Sequence, residues 1–111
     1  MKRSILITGS TGFIGQNLTK LLLSLDYKVL VLIRKKSKNK LFVKKTQKNN
    51  KNFHPIYFNN INTLPKKISK LKINYVINLA TKWINKHNYK DLIDLINSNI
   101  LFNTALLDVV P

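Results

Sequence analysis

The residues best placed to do chemistry in this chain are Thr8, Gly9, Ser10, Thr11, Gly12, Phe13, Ile14 and Gly15. This stretch holds all three glycines among 111 residues. Glycine reaches positive φ without a Cβ clash and lets a second backbone or a ligand come close. Both properties are needed where a buried strand turns directly into a helix. The free N–H groups and positive dipole end of such a helix favour an anion, typically the pyrophosphate of a dinucleotide. The competing reading is a tight strand-to-helix turn with no ligand. The loop follows an apolar run and opens a leucine-rich helical pattern inside a βαβ-length unit, and that context favours the cradle. Gly9, Ser10, Thr11, Gly12, Phe13, Ile14 and Gly15 are therefore candidate cofactor-binding residues.

A second signal lies about twenty residues past Gly15, where a dinucleotide fold places the residue that reads the adenosine ribose. An acid there would receive the 2′-hydroxyl. This chain instead carries Arg34, Lys35 and Lys36, cations that can pair with a 2′-phosphate through charge-assisted hydrogen bonds. NADP is the favoured cofactor and NAD the alternative. An opposing reading makes Arg34 one more base in a basic chain. Other chemistries find no residues. Without cysteine, the isolated His54 and His87 cannot build a zinc site, and each reads as a surface or edge residue. The acids are four scattered aspartates, so neither a carboxylate dyad nor a nucleophile triad forms. Asp91 and Asp94 read as charge bias at a helix N-terminus.

The elements that would position these groups follow from periodicity. Ile5, Leu6 and Ile7 form a continuous apolar run, as expected of a central parallel strand buried on both faces. Phe13, Ile14, Leu18, Leu21, Leu22 and Leu25 recur at helical spacing, with Gln16, Asn17, Lys20 and Ser24 on the other face. Val29 to Ile33 give a second wholly apolar strand, ending at Arg34. Residues 35–52 are rich in lysine and poor in apolar side chains, and read as a solvated loop with one helical turn. Pro55 to Phe58 form a third strand, closed at its carboxyl edge by Asn59, Asn60 and Ile61, where ligands of such sheets bind. Leu64, Ile68 and Leu71 space a short helix with Pro65 in its first turn. Tyr75 to Ala80 form a fourth strand. Leu79, Ala80 and Thr81 stand at its carboxyl end, beside the expected cofactor crevice, and leave room for a flat ring. From Tyr89 to Val110 the pattern is helical and apolar nearly all round, so burial on more than one side is expected. Asn99 interrupts it and needs hydrogen-bond partners for its amide, from strand backbone beside it.

Length and composition set the outer bounds. With 44% hydrophobic residues the chain can build a core, and its length allows one domain. No apolar run approaches the roughly 20 residues of a membrane span, and the run before the glycine loop is too short for a signal peptide. A cytoplasmic location and no membrane partner are expected. The formal net charge of +16 would attract polyanions. However, the lysines run along the whole chain beside asparagine and isoleucine, with no basic helix, zinc finger or aromatic platform. The bias reads as compositional, and no nucleic-acid partner is expected.

These residues resemble the extended short-chain dehydrogenases, a family of nucleotide-sugar epimerases, dehydratases and reductases, over nearly the whole chain. The most specific element is the threonine followed by glycines at intervals of three. Asn59, Asn60 and Ile61 resemble the family's Gly-Asp-aliphatic segment at the adenine, with Asn60 in place of the aspartate, which weakens that contact. Residues 74–80 are similar to its fourth-strand pattern, with Asn78 at the His position, and Asn99 with Thr104, Leu106 and Leu107 looks like its helix-four signature. Residues 79–83 and 95–107 look most like reductases of keto-sugars linked to a nucleoside diphosphate.

The resemblance implies a tyrosine acid or base helped by a lysine four positions on, because free tyrosine titrates near 10. Here Tyr27, Tyr57, Tyr75 and Tyr89 are followed at that distance by Val31, Ile61, Leu79 and Ile93. The expectation is an α/β, Rossmann-type, doubly wound parallel sheet of about four strands, incomplete at its C-terminal side. Residues 1–111 would form an NAD(P)-binding half-domain without the catalytic and substrate part, inactive alone. A nucleotide-sugar substrate would bind only if a C-terminal half is supplied. The fourth strand would be a bare edge beside an apolar helix, inviting a homo-oligomer or a complementing chain.

Overall fold

The computed structural model describes residues 2–36, 40–80, 86 and 88–110. Strands β1 (Ser4–Thr8), β2 (Lys28–Arg34), β3 (Phe53–Phe58) and β4 (Tyr75–Asn78) form one sheet in the order β3-β2-β1-β4. Every pairing is parallel. The chain steps outward from β1 to β3 and then crosses to the far side of β1 for β4. Strand order thus reverses at β1, and a crevice opens beyond the carboxyl ends of β1 and β4.

Alternate residues of the central strands face opposite layers. Ile5, Ile7, Val29, Val31 and Ile33 pack with Leu22, Val43 and Phe53 on one side. Leu6, Leu30 and Leu32 pack with Phe58, Leu64, Ile68, Phe102 and Leu106 on the other. Burial from both sides explains why β1 and β2 read as unbroken apolar runs.

Helix α1 (Phe13–Ser24) starts where the pattern predicts but buries only part of the expected stripe, Leu22 with Leu18 packed against the same core. Its buried residues are Gly15, Thr19 and Leu22, while Phe13, Ile14, Leu21 and Leu25 are exposed. Gly15, having no side chain, lets the helix lie directly on the loop below it, and this contact sets the rotation of α1. Thr19 is tolerated inside because its hydroxyl donates to the Gly15 carbonyl at 2.7 Å.

The lysine-rich segment is not a loop. Its residues 40–49 form the ten-residue helix α2 (Lys40–Asn49). Val43 and Thr46 are buried, and Phe42 packs edge-on against Phe53 with ring centroids 6.4 Å apart. Three inward residues at helical spacing suffice, because straight-chain lysine on the solvated face is a good helix former. Lys44, Lys45 and Lys48 are exposed, so a basic helix does accompany the charge. Helix α3 (Leu64–Ile68), after a 3-10 turn at Ile61–Thr63, buries Leu64 and Ile68.

A 3-10 turn at Tyr89–Asp91 leads into α4 (Leu92–Ile96), a π-helical turn at Asn97–Leu101 and α5 (Phe102–Val109). Burial on several sides is not found. In α5 only Phe102 and Leu106 are buried, and Ile93 and Leu107 are 73% and 75% exposed. Strand β4 likewise exposes Tyr75 and Val76, since among the described residues it has β1 alone as a neighbour. The continuous helical run Tyr89–Val109 is 21 residues long and holds an 18-residue window of mean hydropathy 1.2, the length and composition of a membrane span, which the count of unbroken apolar residues misses. The packing of Phe102 and Leu106 on the sheet places it in the second helical layer.

Candidate dinucleotide site

The loop between β1 and α1 lies over the reversal point, and its three glycines meet three different requirements. Gly9 has φ +74°, and a Cβ there would lie 2.7 Å from the Ala80 nitrogen and the Leu79 carbonyl carbon. It turns the chain across the end of β4. At Gly15 a Cβ would lie 2.1 Å from the Gly9 oxygen and 2.6 Å from the Ser10 Cα, so glycine is required for the helix to rest on the loop. Gly12 is the N-cap of α1, with φ −76° and ψ 173°, and a Cβ there would meet only the Gly9 oxygen at 3.6 Å. The space above Gly12 is open.

That space is suited to an anion. Helix α1 has no side-chain cap and no acid in its first turn, so its leading N–H groups and dipole are uncompensated by side chains. Ser10 is buried, and its Oγ has no hydrogen-bond partner among the described residues. A buried polar atom left without a partner calls for an explanation, and a ligand in the adjoining cleft supplies one. The cleft measures about 490 Å³, within the range of small-molecule sites. Gly9, Ser10, Thr11 and Gly12 line it on one side, with Leu79 and Ala80 after β4, Arg34 and Lys36 at and just past the end of β2, and Asp94, Ser98 and Phe102 on the opposite helix.

Polar contacts tie the walls together. The Thr8 hydroxyl donates to the Asn78 Oδ1 and accepts from the Ala80 N–H at 3.2 Å. Asn78 Nδ2 donates to Asn103 Oδ1 at 2.8 Å, and Asn103 Nδ2 donates to the Asn99 carbonyl at 2.7 Å. The far wall is aromatic: Phe58 and Phe102 stack at 5.7 Å and 19°, and the Arg34 guanidinium lies 5.7 Å from the Phe102 ring centre.

The residues expected here divide into groups. Gly9, Ser10, Thr11, Gly12, Arg34, Leu79 and Ala80 line the cleft together. Phe13 and Ile14 open α1 with exposed side chains, and they can offer a ligand their backbone. Gly15 lies beneath the loop. Lys35 does not line the cleft, whereas Lys36 does; the Lys35 N–H donates to the Phe58 carbonyl at 3.0 Å. The Asn60 side chain accepts from the Asn62 N–H at 2.9 Å and caps the turn Ile61–Thr63, and Ile61 packs against the second core layer. Asn99 contributes its carbonyl to the polar network rather than a cleft wall. Thr81 and His87 lie outside the described residues.

The expectation missed Phe58, Asp94, Ser98 and Phe102. The last three are spaced by four, a signal open to counting. In a regular α-helix, residues eight apart fall about 80° out of line. The π-turn at Asn97–Leu101, closed by i→i+5 bonds, winds more slowly and keeps the row together.

A glycine turn at the reversal point of a parallel sheet, aimed at an open cleft by an uncapped helix, is how Rossmann-type folds seat a dinucleotide. Family comparison agrees with the geometry. The sequence matches the NAD dependent epimerase/dehydratase family over residues 5–111, and the chain belongs to that family. None of the curated proteins matches it. Among solved structures, it is similar to a protein described as a 3-oxoacyl-reductase from Bacillus thuringiensis (TM-score 0.80, 22% identity, 99% of this chain and 51% of that one). A UDP-Glc/GlcNAc 4-epimerase from Campylobacter jejuni gives TM-score 0.79 and 19% identity over 96% of this chain and 33% of that one. A yeast methylglyoxal/isovaleraldehyde reductase complexed with NADPH gives 0.77 and 22% over 96% and 32%. The chain thus spans about half or a third of the length of these structures.

Proposed function

We propose that this chain is the NAD(P)-binding portion of an epimerase/dehydratase-type oxidoreductase acting on nucleotide sugars, and that it favours NADP. The observation that carries the reading is the open space over Gly12 beside the orphaned Ser10 hydroxyl. The first-turn N–H groups of α1 and the Ser10 hydroxyl would hold the pyrophosphate, and Arg34 with Lys36 the 2′-phosphate. Leu79 and Ala80 leave room for the nicotinamide, which donates or accepts the hydride when bound. No tyrosine here has a lysine four positions on, so proton transfer and sugar recognition are assigned to a part of the enzyme beyond these residues. The sugar-nucleotide reading is supported by the sequence resemblance and by the epimerase among the structural neighbours. The exposed apolar face of the last helix is where a second copy or a complementing chain would dock, and a chain that sediments as a monomer at high concentration would count against that.

Titration of NADPH and NADH into the purified chain, followed by nicotinamide fluorescence, tests the central claim. Saturable binding of both, tighter for NADPH, is expected, with no turnover of sugar nucleotides. Tighter NADH binding would remove the NADP assignment. Duplex DNA binding with steep salt dependence, and no dinucleotide binding, would replace the whole reading.

A further inference from the structure

We propose that Phe102 is a positioning residue for cofactor selection: its ring seats the Arg34 guanidinium at the edge of the cleft, ready for a 2′-phosphate. The inference rests on the reading of the cleft as an NADP site and adds what holds Arg34 in place. Arg34 ends β2 and is solvent-exposed. A free arginine at such a position samples many rotamers, and ordering it on binding lowers affinity. Among the described residues no carboxylate forms an ion pair with it. Its contact is the Phe102 ring, 5.7 Å from the guanidinium carbon.

That ring is itself immobilised. Phe102 is buried and stacks on the buried Phe58, and Phe58 is the cross-strand register partner of Arg34. One residue from each of β2, β3 and α5 therefore meets in a single cluster. Guanidinium suits this role, because its delocalised charge is attracted to an aromatic ring while its fork of N–H donors can still meet a phosphate. The π-turn before α5 turns Phe102 onto the cleft.

Full-chain Phe102→Leu preserves apolar bulk and removes the π face. Its NADPH Kd should rise roughly two- to five-fold, with the NADH Kd unchanged. In an Arg34→Ala background the same substitution should change neither, since coupled residues lose their effect once the partner is gone. Arg34→Ala alone should abolish the NADPH preference. If it does so while folded Phe102→Leu keeps the wild-type NADPH/NADH ratio, the positioning role is overturned and the NADP assignment stands. An unchanged ratio in Arg34→Ala overturns the NADP assignment and the inference with it. Should Phe102→Leu fail to fold, NMR of the unsubstituted chain decides the matter. Ring-current upfield shifts of the Arg34 side-chain protons are expected, and random-coil positions would overturn the proposal.

Discussion

Replacing Gly15 and Gly12 by alanine should separate folding from binding within one loop. A Cβ at residue 15 would lie 2.1 Å from the Gly9 oxygen, 2.6 Å from the Ser10 Cα and 2.8 Å from the Gly9 carbonyl carbon. All three are backbone atoms, well inside the roughly 3.5 Å at which carbon contacts become favourable, so no side-chain rotation relieves the clash. Overpacking of this kind lies at the upper end of about 1–3 kcal/mol. Alanine's better helix propensity returns about 1 kcal/mol, leaving a net loss of about 2 kcal/mol. For a domain of this size that lowers Tm by roughly 10 °C. Displacement of α1 from the loop should weaken NADPH binding as well. At Gly12 the added Cβ meets only the Gly9 oxygen, at an ordinary 3.6 Å, and φ −76° suits alanine. Loss of the glycine N-cap costs about 0.5–1 kcal/mol, at most half the loss expected at Gly15. The methyl group would nevertheless occupy the approach to the helix N-terminus, and affinity should fall roughly tenfold or more, as for an overpacked contact. Thermal unfolding followed by circular dichroism, paired with NADPH titration, measures both. If Gly12→Ala loses as much stability as Gly15→Ala, or binds NADPH like the unsubstituted chain, the assignment of roles within the loop is wrong.

Two further outcomes follow from single side chains. Ser10→Ala removes a buried hydroxyl that has no partner among the described residues, so the unliganded chain should be as stable as before or slightly more so, while NADPH affinity drops roughly two- to tenfold for the lost hydrogen bond. A lower Tm with unchanged affinity would show that the hydroxyl is structural. On β3, burial and then the nearby Lys28 charge hold the His54 pKa below its usual 6.5. The folded state therefore prefers the neutral ring. Its contribution is complete above 6.5 and is lost as pH falls through the lowered folded value. Urea midpoints between about pH 8 and 5 should decline with acid, and His54→Gln should flatten that decline. An equal slope in both proteins would remove His54 as its source.

The strands and the glycine loop were legible because their causes are local. Leu6, Val31 and their neighbours are buried from both sides, and an unbroken apolar run is the direct record of that. Periodicity misled where one backbone contact outweighed side-chain hydrophobicity. The apolar spacing of α1 suggested a stripe through Phe13, Ile14, Leu18, Leu21, Leu22 and Leu25; Leu18 and Leu22 do face the core, yet the absence of a side chain at Gly15 turns the other four outward. In α2, Val43, Thr46 and Phe42 provide the buried face. Composition averaged over residues 35–52 concealed those three among the lysines.

The cleft shows the same division at the level of chemistry. Its near wall comes from one contiguous unit, β1 to β2, and was readable as glycines followed by a cation. Its far wall comes from positions separated in sequence, and its alignment depends on backbone geometry that a regular helical count does not contain. Asp94, Ser98 and Phe102 form a cleft-facing row through the π-turn between α4 and α5. The type of residue at 34 pointed to a 2′-phosphate, but the side chain's placement depends on β3 through Phe58 and on α5 through Phe102. If Arg34 reads a 2′-phosphate as proposed, cofactor preference is a property of three elements packed together, and substitutions at residue 102 should alter it without touching a charge.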